Sequence, residues 1–222
     1  MKELEASLNR FFHHLCIMEG LIEETESVIL KSLHDFDRKG PRICSFDHDF
    51  GSDEYYSFRG HTSYDFEEVM ISYKTLMPGR MRASTFLTIF GMFECEMDAL
   101  TVAVLKFKDQ IWGLKDFKQQ GLERCNHILK KLLSIKHSAT RDKVMQISKL
   151  RNICTHSNRC VENKDEHFLK ALGGDECFDL IESGENYEIA FKDKALEYIL
   201  SCFNVYYYDI VNAIKAPGNN SR

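Results

Sequence analysis

Apolar side chains recur at helical spacing from the start of the chain. Leu4, Leu8, Phe11, Phe12, Leu15, Met18, Leu21, Ile22, Ile29, Leu33 and Phe36 predict one helix over residues 2 to about 38, closed by Arg38-Lys39-Gly40-Pro41. Such a helix is about 50 Å long, so part of its apolar face meets a partner chain or the helix bends at Gly20. Residues 41–64 have no clear period and are rich in aromatics and turn formers, among them Phe46, Tyr55, Tyr56, Phe58, Gly60 and Tyr64. They read as a long insertion packed on the helices through its aromatic side chains. A short helix over Asp65–Leu76 is expected to stop at Pro78-Gly79.

The strongest apolar run lies between Arg80 and Asp109, with Phe86, Leu87, Ile89, Phe90, Phe93, Met97, Leu100, Val104 and Leu105. Apolar residues cover most of its circumference, which predicts the central core helix. Residues 110–120 are a connector around Trp112. Helices follow over Gly121–Ile135 and from Thr140, a plausible N-cap, to about His156; Lys136–Ala139 is the turn between them. Residues 158–190 are polar and acidic, with a short hairpin pattern pairing Cys177–Leu180 with Tyr187–Phe191. A last helix covers about Lys192–Ile214, and residues 216–222 form a frayed tail. The expected fold is all-α: an antiparallel helical bundle in a single domain over 1–222, with the aromatic-rich insertion after the first helix.

Composition narrows the class. The chain is 44% hydrophobic and 28% charged, as in an ordinary soluble globular protein. Its eight cysteines form no C-x-x-C pair and no regular framework, and the N-terminus has no apolar signal core, so free thiols in a reducing cytoplasm are expected. The apolar run from Phe86 to Phe107 contains Glu94, Glu96 and Asp98, which argues against a membrane span.

Charge is unevenly placed. Between Arg124 and Cys160 there are nine basic side chains and one acid, a net +8; the chain totals −5, so the remainder carries −13. Such a segment makes a local basic surface, or is the solvated face of two helices.

Inside it lies Lys149-Leu150-Arg151-Asn152-Ile153-Cys154-Thr155-His156-Ser157. Asn152 and His156 are spaced i, i+4, so on a continuing helix the amide can reach and orient the imidazole. Arg151 offers a planar, permanently charged fork for phosphate oxygens, and His156 titrates near neutrality and can move a proton. The plainer reading is a satisfied helix end, with His156 complementing the helix dipole. Arg10 and His14 make a similar pair, i, i+4 on the first helix, and read as a decoy. Glu94 and Glu96 cannot face the same way; each is a buried ion-pair anchor, or Glu94 supports Arg151 or His156. The spacing of Cys154, His156, Cys160 and His167 matches no common zinc pattern, Cys154 has no recognisable base, and there is no P-loop or G-x-G-x-x-G. Neither metal nor cofactor is expected.

The run Arg151-Asn152-Ile153-Cys154-Thr155-His156 resembles the signature of the HEPN superfamily. The earlier helix, with Arg82-Ala83-Ser84-Thr85-Phe86 and Phe93-Glu94-Cys95-Glu96-Met97-Asp98-Ala99-Leu100, is similar to that family's pattern. The resemblance spans roughly residues 80–215 in order of elements. It implies an all-α bundle that dimerises and, in active members, a metal-independent endoribonuclease with a shared site, often a toxin or anti-phage effector. By motif position it makes Arg151 and His156 catalytic. Asn152, Lys149, Arg159, Lys143 and Arg141 would bind or orient RNA, and Glu94 would be a supporting acid. Expected partners are RNA, a second copy, and an antitoxin or other defence protein. The alternative is a catalytically silent module that binds RNA or a partner protein.

Overall fold

The computed structural model describes residues 1–49, 51–135, 139–162, 168–169, 172 and 174–216. The first helix, α1 (Lys2–Lys39), is continuous through Gly20. Leu4, Phe11, Leu15, Met18, Ile22, Ile29 and Phe36 line its buried face, while Phe12, Leu21, Val28 and Leu30 stay exposed. Gly40 ends it in a left-handed conformation, φ 62°, with its N–H bonded to the Phe36 carbonyl.

The all-α expectation is wrong. About 70% of the described residues are helical, and they also form two three-stranded antiparallel sheets. The first is the 41–64 insertion: β1 (Arg42–His48), β2 (Gly51–Phe58) and β3 (His61–Ser63) in order β1-β2-β3. Its strands mix turn formers with aromatics and bury almost nothing, so no alternating pattern marks them. Phe46 and Ile43 are exposed, and the sheet reaches the helices through Phe58 at the end of β2 and through β3, where His61 packs edge-on against Tyr73. Phe58 packs edge-on against Phe36 (4.8 Å) and Tyr73 (4.7 Å), in a small core completed by Val69.

The second sheet has order β4-β6-β5, from β4 (Cys160–Val161), β5 (Phe178–Ser183) and β6 (Asn186–Phe191). Its hairpin lies close to the one expected, with Phe178 opposite Phe191 and the turn at Gly184, φ 64°. The sequence marks it through period-two apolar positions, and Ile189 and Phe191 enter the main core.

Pro78-Gly79 does not stop the preceding helix. α2 (Phe66–Ile71) passes through a π-helical turn, Ser72–Leu76, directly into α3 (Met77–Phe107). Proline lacks an N–H and clashes with the carbonyl four residues back. The wider π turn, with the Met77 N–H bonded to the Ser72 carbonyl, ends where Pro78 enters the first turn of α3.

α3 is the central helix. Phe86, Ile89, Phe93, Met97, Leu100 and Val104 have no exposed surface. It packs against α1, α4 (Gly121–Leu133), α5 (Ala139–His156) and α6 (Ala195–Lys215). Phe93 stacks on Phe203 of α6 at 3.9 Å, and Arg82 makes a bidentate ion pair with Glu26 of α1 at 2.7 Å. α5 is described from Ala139, so Thr140 is helical and is not its cap; of the turn expected at 136–139, Ala139 belongs to the helix and 136–138 lie outside the described residues, as does the expected tail beyond residue 216. The aromatic group on α6 is mostly core: Phe203, Tyr206 and Tyr207 are buried and Tyr208 is half-exposed. No described helix is long and apolar enough to cross a membrane.

Candidate functional site

α5 buries Val144, Ile147, Leu150 and Cys154, which leaves Arg151, Asn152 and Thr155 on its outer faces. Arg151 is fixed on three sides. Its Nη2 lies 3.7 Å from Glu94 Oε2 of α3, its guanidinium lies 5.6 Å from the Phe90 ring centre, and its Nη1 donates to Asn152 Oδ1 at 3.0 Å. The side chain is still 35% exposed, so the fork is held in place but open to solvent. Glu94 is wedged from the other side. At Gly121, the first residue of α4 with φ 52°, a Cβ would collide with the Glu94 carboxylate. Glycine here admits both the left-handed backbone and the carboxylate.

His156 is the last residue of α5 and is exposed. Among the described residues it has no hydrogen-bond or ion-pair partner. The expected bridge from Asn152 is not formed, because the amide oxygen is turned to Arg151. Beyond His156 the chain leaves the helix through Asn158 (φ 47°) and Arg159 (φ 67°), with the Arg159 N–H bonded to the Ile153 carbonyl. A left-handed arginine costs about 1–2 kcal/mol. It is held by an ion pair to Glu188 at 2.7 Å and by its carbonyl, which accepts from the Ile189 N–H.

Of the other described basic residues of this segment, Arg124, Arg141 and Arg159 are half-buried, and Lys130, Lys131, Lys143 and Lys149 are exposed. Arg159 is 11% exposed against Glu188. Arg124 pairs with Asp98 at 2.9 Å, Lys131 lies over Trp112 at 4.8 Å, and Lys143 over Tyr198 at 5.6 Å. Arg141 is half-buried, with Nε shielded from water. Lys149 is exposed, about 200° around the helix from Arg151. Of the residues expected to bind RNA, Lys149 and Asn152 therefore stand at the surface, Lys143 is exposed but set over an aromatic ring, and Arg141 and Arg159 are drawn into the body.

Glu96 faces away from this site, toward α1. Its side chain is 4% exposed and both carboxylate oxygens are occupied: Arg10 Nε donates to Oε2 at 3.0 Å, and His14 Nδ1 lies 2.8 Å from Oε1. The Arg10–His14 spacing was visible in the sequence, but a carboxylate more than 80 residues away that fixes both side chains was not.

Burial pushes the Cys154 thiol up to about 12, with the nearby Arg159 charge only partly opposing it. It stays protonated near neutrality and is no nucleophile. Among the described residues no three His, Cys, Asp or Glu side chains are placed to hold a metal ion. His167, part of the set weighed from the sequence, lies outside those residues.

No known protein family, curated protein or solved structure matches the chain. The site's own chemistry remains. A preset guanidinium can neutralise phosphate oxygens, and an exposed imidazole can give or take a proton. Arg151 and His156 are five residues apart, which places them about 140° apart around the axis. One copy thus presents the two groups in divergent directions.

Proposed function

We propose that the chain is a HEPN-like endoribonuclease of a toxin–antitoxin or anti-phage system, acting in the cytoplasm without metal. One observation carries the reading: Arg151 is locked by Glu94, Phe90 and Asn152 while still open to solvent, one turn before an exposed His156. The guanidinium is held in place and still reaches solvent, as a group that meets a ligand must. The ribose 2′-OH loses its proton to a base and attacks the adjacent phosphorus. The bond to the 5′-oxygen breaks and that oxygen takes a proton, leaving a 2′,3′-cyclic phosphate and a 5′-OH. Two copies in a homodimer supply two imidazoles, one as base and one as acid, and two guanidiniums for the developing charge.

Purified protein is expected to cut single-stranded RNA in excess EDTA. Arg151→Ala and His156→Ala should each lower the rate by roughly 10²–10³-fold. Unchanged cleavage in both variants overturns the assignment. The inward-turned Arg141 and Arg159 favour the second reading, a silent module; that reading predicts salt-sensitive RNA or protein binding without turnover.

A further inference from the structure

On the opposite side of α3, Arg10 and His14 are held by one buried carboxylate next to a groove. We propose that Arg10 and His14, positioned by Glu96, form a binding site for a small phosphate monoester. The two cationic side chains are one turn apart on α1, so their Cβ atoms are about 5–6 Å apart on one face. Arg10 gives Glu96 only its Nε–H; among the described residues its two Nη groups are unengaged, and the side chain is 51% exposed. Those two groups are the fork that suits phosphate oxygens.

His14 is equally constrained. Its Nδ1 faces the carboxylate and carries the proton, so Nε2 points outward from a ring that is 32% exposed. The neutral ring accepts a proton from a phosphate P–OH, and the charged ring donates to a phosphate dianion. The groups facing His14 are Arg10 and His13 on α1 and Glu96 on α3, with the His13 ring centre 6.2 Å away.

The groove beside Arg10 gives the ester group its place. It encloses about 420 Å³ between α1 and α3, within the usual range for small-molecule sites, and Ala6, Ala99, Val102 and Ala103 leave it open. Ser7 also lines it, with its hydroxyl shielded from water. The acid at the groove, Glu3, is neutralised by Lys106 of α3. A nucleoside monophosphate fits this combination of charge and volume, whether free or at the phosphorylated end of an RNA strand.

The site is independent of the nuclease reading, and His156→Ala should leave it intact. Titrating AMP into the full chain while recording histidine ring nitrogens should shift His14 Nε2 to saturation. Adenosine should produce no such shift. Arg10→Gln and Arg10→Lys should each weaken AMP by about tenfold or more, since neither retains the fork. Ala99→Leu should fill the groove, excluding AMP while inorganic phosphate still shifts His14; this half-buried position keeps the test available if an Arg10 variant fails to fold. A 5′-phosphorylated tetraadenylate that competes with AMP assigns the site to an RNA end, and one that does not assigns it to free nucleotide. No His14 shift with AMP, or equal affinity in Arg10→Lys and Ala99→Leu, overturns the proposal.

Discussion

Glu94 shows how one carboxylate fixes a candidate site. It meets the Arg151 guanidinium on one side and the backbone of Gly121 on the other. Glu94→Gln keeps the shape and removes the charge that holds the guanidinium. Cleavage should fall roughly tenfold, as for other supporting residues, with the melting temperature nearly unchanged; a full-rate Glu94→Gln enzyme would show that Arg151 needs no such partner. Cys154 makes a separate prediction. Its thiol is raised from 9.0 to about 12 in the folded chain by burial. The unfolded chain therefore ionises first, and stability that is complete below pH 9 is lost as pH rises toward 12. Urea midpoints should drop from pH 8 to about pH 10.5, and Cys154→Ala should lessen the drop by about one proton's linkage. Cys125 is raised to about 12 for the same reason, so part of the slope should persist in the variant.

At the scale of elements, the helices were legible because long apolar stripes at period 3.6 leave few alternatives. Phe86, Ile89, Phe93, Met97 and Leu100 fall on the buried faces expected of them. Two elements were not legible, for different reasons. Pro78-Gly79 carries a stop signal, but the signal assumes α-helical hydrogen bonding up to the proline, and the π turn at Ser72–Leu76 removes that condition. Among the described side chains of the sheet at residues 42–63 only Phe58, at the end of β2, is buried, so its pattern is set by turns and by water, not by a core. The motif on α5 was readable as a string. What holds Arg151 was only partly so: Glu94 could be named as a candidate, whereas the turn of Asn152 away from His156 depends on rotamers that spacing does not fix. The Arg10–His14 pair was read as a decoy because nothing local announces Glu96.

Across the whole molecule, α1 joins two cores. Its first part, from Leu4 to Ile22, belongs to the main cluster with α3 and α6, and its end, at Phe36, to the small cluster with Phe58, Val69 and Tyr73. Arg59 ties the end further, donating to Ser32, Tyr73 and Asp35. Phe58→Ala should cost about 3 kcal/mol, and the loss should be local. Amide exchange should quicken over residues 32–39 and stay slow over residues 11–22; uniform quickening would mean that the two clusters unfold as one. The charge map is likewise a property of the whole. The +8 segment reads from sequence as a local basic surface or as the solvated face of two helices; in the fold Asp98 and Glu188 come from distant elements to neutralise Arg124 and Arg159.

The opposed carboxylates of α3 also bear on how this chain can change over generations. Glu94 serves α5 and Glu96 serves α1, and two residues along a helix is about 200° of rotation. Inserting or deleting one residue between the Pro78 turn and Glu94 would swing both carboxylates off their partners at once. The hairpin tip, exposed on both faces, has no such phase to keep. Descendant sequences should therefore vary in length around residues 45–54 and keep the length of α3, whatever else they substitute.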